Sequence, residues 1–153
     1  MSVDISVALT DEDHDNAMKE VAFLVDAFAS TIDNVMGGTT GPVGRNAGRD
    51  MAKKLPLHLG DPTLAETLAA LNAGMKSGFD ASLVSSDGKI AQAAVGTCFI
   101  RDLCAGSGKN TGGPACKLYH AYFDGIVNEL MHRPVKSEIV EVGQSCRIRI
   151  VTQ

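Results

Sequence analysis

From residue 113 to residue 150 the chain reads GPACKLYHAYFDGIVNELMHRPVKSEIVEVGQSCRIRI, and this stretch decides the fold. Pro114 suits the first position of a helix, where its missing N–H costs nothing. Leu118, Tyr122, Ile126 and Leu130 then fall on one stripe at helical spacing, which predicts a helix from Pro114 to about Met131. After it the period changes to two. Glu138 to Val142 and Cys146 to Ile150 alternate, and Gly143-Gln144 between them suits a two-residue type II′ turn with glycine first. A helix followed by an antiparallel hairpin is the signature of an α+β domain.

The rest of the chain agrees. Asp4 to Thr10 alternates as a short edge strand would, and Thr10-Asp11-Glu12-Asp13 has the form of a capping box. Val21, Leu24, Val25, Phe28 and Ile32 recur at helical spacing, before Gly37-Gly38 breaks the helix. A second helix is predicted from Pro42 to Lys54, with Val43, Ala47 and Met51 on one face. Beside them Gly44, Gly48 and Ala52 form a flat ridge, which favours close packing of another helix over close approach of a ligand. Asp61-Pro62 opens a third helix that turns Leu64, Leu68 and Leu71 inward. Phe79, Ala81 and Leu83 alternate up to Ser86-Asp87-Gly88-Lys89, and Ile90 to Phe99 returns. Asp-Gly between two such runs signals a hairpin. Ala105 to Gly113 reads as a loop; its Gly106-Ser107-Gly108-Lys109 lacks the spacing of a phosphate-binding loop. Helices and hairpins in this order give one α+β domain over residues 1–153, with antiparallel strands and no Rossmann alternation.

Composition narrows the function. With 44% hydrophobic and 21% charged residues, the chain of 153 residues is an ordinary globule that needs no staples. A net charge of −4 without a Lys/Arg cluster argues against nucleic acid. No apolar run reaches the roughly 20 residues of a membrane span, and Met1-Ser2-Val3-Asp4 lacks the features of a signal peptide. A cytoplasmic location follows as the expectation, with thiols kept reduced.

All four cysteines, Cys98, Cys104, Cys116 and Cys146, lie in the last third. Cys116 falls in the first turn of its helix, where the dipole favours a thiolate. In the II′ register Glu141 stands opposite Cys146 and Glu138 opposite Arg149; a three-residue loop would instead bring Glu138 to Cys146. An inward glutamate beside a thiol needs a metal, a proton or a base. The plainer reading is cross-strand ion pairing, Glu138 with Arg149 and Glu141 with Arg147. No close Cys-x-x-Cys pair marks zinc, and the Cys98–Cys104 spacing is wider than common cluster runs. His120, one turn after Cys116, either joins the thiols or sits on the helix surface. No catalytic elbow, triad or metalloprotease motif is present, so nothing marks an enzyme.

Taken together these residues resemble the 4-vinyl reductase (hydrocarbon-binding) domain family. Val35-Met36-Gly37-Gly38 with Gly44-Arg45-Asn46-Ala47-Gly48-Arg49 is similar to the family's glycine turn and Ala-Gly-Arg helix. Pro114 to Gly125 matches its Cys-led helix, and Glu138, Gly143 and Cys146 with Arg147-Ile148-Arg149-Ile150 match its closing hairpin, so that the resemblance spans about residues 32–151. It implies a fold of the ligand-binding, Golgi-transport type, usually homodimeric, whose members hold small hydrophobic molecules as sensory modules, some beside zinc. The zinc-bearing hairpin reads Glu-x-x-Cys-x-x-x-Gly-x-x-x-Cys; here Glu141 replaces the first of those cysteines and the turn is shorter. Cys116, Glu138 and Cys146 match ligands, and the missing thiol falls to Cys104 or Cys98, an all-cysteine site being the alternative.

The expectation is thus a binding module for a small hydrophobic molecule, with a cysteine-rich site that zinc would occupy. Met51, Phe79, Phe99, Tyr119 and Phe123, apolar positions on converging elements, are its candidate pocket. An iron–sulfur or redox accessory protein is the alternative, and an assembly subunit a third. An enzyme reducing a vinyl group ranks last, because no nicotinamide or flavin site is evident.

Overall fold

The computed structural model describes residues 8–75 and 78–153, so most of the edge strand expected over Asp4 to Thr10 lies outside the described residues. Among the described residues five helices and four strands follow one another: α1 (Asp11–Val35), α2 (Gly41–Ala52), α3 (Leu64–Met75), β1 (Ser82–Ser86), β2 (Ile90–Val95), α4 (Phe99–Gly106), α5 (Pro114–Met131), β3 (Val135–Glu141) and β4 (Cys146–Thr152). The strands form one antiparallel sheet in the order β1-β2-β4-β3. This is the α+β architecture expected from the sequence.

Local chemistry sets the element ends. Thr10 caps α1: its hydroxyl accepts the Asp13 amide at 3.2 Å, and the Asp13 carboxylate accepts the Thr10 amide at 2.8 Å. Thr63 and Glu66 repeat the device at the start of α3. At the β1–β2 turn Gly88 takes φ +96°, and the Asp87 amide donates to the Ile90 carbonyl at 3.0 Å.

α5 is the organising element. Phe123, Ile126, Val127, Leu130 and Met131 are buried, as are Ala115, Cys116, Ala121, Asp124 and Gly125. One side meets the sheet at β3, and Ile148 and Ile150 of β4 are fully buried in the same core. The other side meets α2, and here the glycine ridge explains itself. A methyl group at Gly44 would stand 2.7 Å from the Leu118 carbonyl oxygen, and one at Gly48 would come within 2.9 Å of the Ile126 nitrogen. Gly125 answers from α5, where a methyl group would meet the Arg45 backbone at 2.9 Å. Missing side chains on both helices let the backbones touch. The ridge is a helix–helix contact, not a ligand site.

Small residues set which helix faces are buried. In α2 the buried face is Gly44, Gly48 and Ala52, which turns Val43, Ala47 and Met51 away from α5 and leaves Met51 exposed. In α1 the residues turned to the body are Ala22 and Ala29, while Val21, Leu24 and Phe28 are exposed. Small residues again permit the closer approach. Finally, β2 ends at Val95 and Phe99 opens α4 instead of closing the strand.

Candidate functional site

The expected aromatic pocket is packed solid. Phe79 meets Tyr119 edge-on and Phe123 at a tilt, with ring centroids 5.2 and 5.1 Å away, and Phe99 meets Tyr119 edge-on at 5.0 Å. Phe79 and Phe123 are buried, and Met51 lies on the outer face of α2, apart from them. The phenol oxygen of Tyr119 is buried with no partner, and burial raises its pKa.

All four cysteines are buried as free thiols. Cys104 and Cys116 lie within hydrogen-bonding reach, with Cys98 a neighbour of both. Burial pushes the Cys98 thiol up, and burial with the adjacent Cys116 pushes Cys104 up to about 11, so both are protonated at neutral pH. Cys146 stands apart on β4, opposite Val95, its Sγ 3.9 Å from the Gly143 carbonyl.

The glutamates do not join them. A bulge between Ile139 and Glu141 moves Glu141 opposite Arg147 instead of Cys146, while Glu138 keeps its place opposite Arg149. Both lie on the outer face of the sheet as cross-strand ion pairs, Glu141 with Arg147 at 3.4 Å and Glu138 with Arg149 at 3.9 Å. Among the described residues no group of three or more His, Cys, Asp or Glu side chains is disposed to hold a metal ion. As arranged, Cys98, Cys104, Cys116, Glu138 and Cys146 do not fit a zinc site. The carboxylate points out and one thiol lies elsewhere.

A different site emerges where α2, α5 and β3 meet. A cleft of about 410 Å³ opens there, a size suited to a small organic molecule. Ala121, Ile139 and Val142 give it an apolar wall. Around that wall polar groups converge: Arg45 from α2, Lys117, His120 and Asp124 from α5, and Lys136 and Ser137 from β3. Helical spacing of three and four residues brings the α5 set to one face. The alternation of β3 turns Ser137 toward Asp124, whose Oδ2 accepts the Ser137 amide at 2.9 Å.

Three of these groups are incomplete. His120 Nδ1, Asp124 Oδ1 and Ser137 Oγ are buried with no protein partner. Burial lowers the His120 pKa to about 4, so the ring is neutral at pH 7. Burial also raises that of Asp124, against the opposing pull of the Ser137 amide and of Arg45 and Lys136. Arg45 makes no ion pair among the described residues. Its guanidinium folds back over the first turn of α2, where a methyl group on Gly41 would stand 3.1 Å from its nitrogens. That is the positive end of the helix, an unfavourable place for an unpaired cation. Lys117 and Lys136 add two more cations, and Glu138 is drawn toward Arg149. The cleft is therefore built to accept an anionic or hydrogen-bonding group against an apolar wall.

Sequence reasoning missed this site. Asp124, mid-helix among apolar neighbours, was its one visible signal, since a carboxylate on a buried face needs a partner.

No family model and no curated protein matches the chain. Solved structures do. The crystal structure of the phenol-responsive sensory domain of the transcription activator PoxR with phenol superposes with a TM-score of 0.56, over 88% of this chain and 74% of that one, at 15% identity. At that identity the likeness is one of fold.

Proposed function

We propose that the chain is a small-molecule-binding sensory module, of the kind the 4-vinyl reductase resemblance implies, and that the cleft between α2, α5 and β3 is its ligand site. The observation that carries the reading is the pairing of an unpartnered Arg45 with the buried, incomplete polar atoms of His120 and Asp124 along one apolar wall. Buried polar groups are rarely left without partners, and those that are call for an account. A ligand with an aromatic or aliphatic body and a carboxylate or phenolic oxygen would supply both parts. The fold shared with a phenol-responsive sensory domain supports the same reading.

The mechanism is conformational. The cleft is walled by two helices and an edge strand, so a ligand that contacts all three favours one arrangement of them over another. No catalytic step is needed, and none is assigned. The three neighbouring thiols serve here as core packing.

Isothermal titration with benzoate and with phenol tests this. Saturable binding of either probe, weakened about tenfold by Arg45→Gln, is the expected result; loss of one charge-assisted contact has that size. Absence of saturable binding by both probes, or binding indifferent to Arg45→Gln, overturns it.

A further inference from the structure

The polar groups of the cleft differ between its floor and its mouth. Asp124 is 3% exposed; its Oδ2 accepts the Ser137 amide at 2.9 Å, and its Oδ1 has no protein partner. Arg45, Lys136 and that amide oppose burial and favour the ionised carboxylate, which can only accept a hydrogen bond. Ser137 Oγ and His120 Nδ1 are buried and unpartnered beside it. Each can donate, the serine through its hydroxyl and the neutral imidazole in the tautomer that carries its proton on Nδ1. The mouth is cationic. Lys117 and Lys136 are exposed there and Arg45 is half-buried, and none of the three makes an ion pair among the described residues. Glu138, the acidic residue at that mouth, is drawn to Arg149.

These groups sort the chemistry of an occupant. A ligand carboxylate does not suit the floor, where it would meet Asp124 as acceptor against acceptor and charge against like charge. An ammonium would suit Asp124, but it brings a fourth cation among Arg45, Lys117 and Lys136 and accepts nothing from Ser137 or His120. A neutral hydroxyl completes all three atoms: it has one proton for Asp124 Oδ1 and two lone pairs for the serine and the imidazole. The mouth calls for the opposite group, an anion that the guanidinium and the two ammonium groups can hold.

We infer that the cleft binds hydroxy acids, with a neutral hydroxyl buried against Asp124, Ser137 and His120 and a carboxylate held at the mouth by Arg45, Lys117 and Lys136. This assignment rests on the proposed ligand site and adds that both polar ends belong to one molecule, joined by a body that lies on the apolar wall. Lys117 and Asp124 are seven residues apart on α5, roughly 10 Å of helix rise. Polar groups on opposite sides of a ring fit that separation. Adjacent ones do not, and they also tie up the hydroxyl proton within the ligand.

Isothermal titration of the full chain at pH 7 with para-hydroxybenzoate, benzoate, phenol, para-methoxybenzoate and ortho-hydroxybenzoate tests this. Para-hydroxybenzoate is expected to bind at least about tenfold more tightly than benzoate or phenol, each of which lacks one charge-assisted contact. Para-methoxybenzoate, which has no proton for Asp124, and ortho-hydroxybenzoate should bind no better than benzoate. In Asp124→Asn the amide oxygen can keep the Ser137 N–H and turn its NH2 toward the ligand, which leaves the hydroxyl proton without an acceptor. The ratio of para-hydroxybenzoate to benzoate affinity should then fall towards one. The methoxy comparison needs no variant and decides the matter if Asp124→Asn does not fold. Binding of benzoate or phenol with para-hydroxybenzoate no tighter, or para-methoxybenzoate equal to para-hydroxybenzoate, overturns the hydroxy-acid assignment while the ligand site stands. Absence of binding by every probe overturns both.

Discussion

Gly48→Ala probes the contact that shapes the cleft. Inside a helix, alanine is favoured over glycine by about 1 kcal/mol, so propensity alone predicts a gain. The structure predicts a loss. The added methyl group would lie within 2.9 Å of the Ile126 nitrogen and of the Tyr122 carbonyl carbon, and closer still to the Tyr122 oxygen. These are backbone atoms of α5 and no rotamer change relieves them. α2 must retreat by at least half an ångström to restore ordinary contact, loosening its packing on Ala121, Tyr122 and Ile126. Overpacking of this kind costs about 1–3 kcal/mol, and rigid backbone on both sides puts Gly48 at the upper end. The net expectation is a loss of about 2 kcal/mol, a melting temperature lower by about 4–8 °C at this chain length. Gly74→Ala is the matched control: it lies in α3 with nothing near its missing methyl group, and should stabilise by about 0.5–1 kcal/mol. Thermal and denaturant unfolding of both variants decide the matter. If Gly48→Ala is neutral or stabilising, α2 and α5 do not touch as described.

Three further outcomes follow from named groups. His120, whose pKa falls from 6.5 to about 4 on folding, binds its proton more readily when unfolded. Stability should therefore climb between pH 4 and pH 6.5 by at most about 3 kcal/mol, and His120→Gln should flatten that limb of the pH–stability curve measured by urea unfolding. Glu138→Gln breaks an ion pair whose partners are largely exposed. It should cost less than about 0.5 kcal/mol, whereas a buried acid-and-thiol site would lose several times more. Thiol titration with a coloured disulfide reagent should be slow in the native protein and complete on unfolding, because all four cysteines are buried and two are held protonated.

Much of the fold was legible because local signals dominate it. The Thr10 cap, the Gly37-Gly38 break and the Asp87-Gly88 turn each depend on a few neighbouring residues, and each lies where the sequence places it; at Gly143-Gln144 the chain does reverse, but Gly143 lacks the positive φ of the expected type II′ turn. α4 was not legible, since Ile90 to Phe99 extends the alternation of β2 across the helix start. The Gly44-Gly48 ridge was legible as a helix–helix contact, whereas Ala22 and Ala29, which α1 turns to the body, carry too little hydrophobic weight to stand out in the sequence. The cysteine-and-glutamate site depended on hairpin register, and one bulge after Ile139 kept Glu141 away from Cys146. The cleft was invisible for another reason. Arg45, His120, Asp124 and Ser137 lie on three elements and form no spacing pattern, so only the packing of α2 on α5 assembles them.

The central claim is that a small molecule enters this cleft. Backbone amide shifts recorded by NMR during titration with benzoate test it directly. The account predicts saturable shifts grouped at Gly41, Arg45, Lys117, Ala121, Asp124 and Ser137, with Ile90 and the β1–β2 turn unmoved. Shifts centred on Phe79, Tyr119 and Phe123, or no saturable shift from benzoate or phenol, would contradict it.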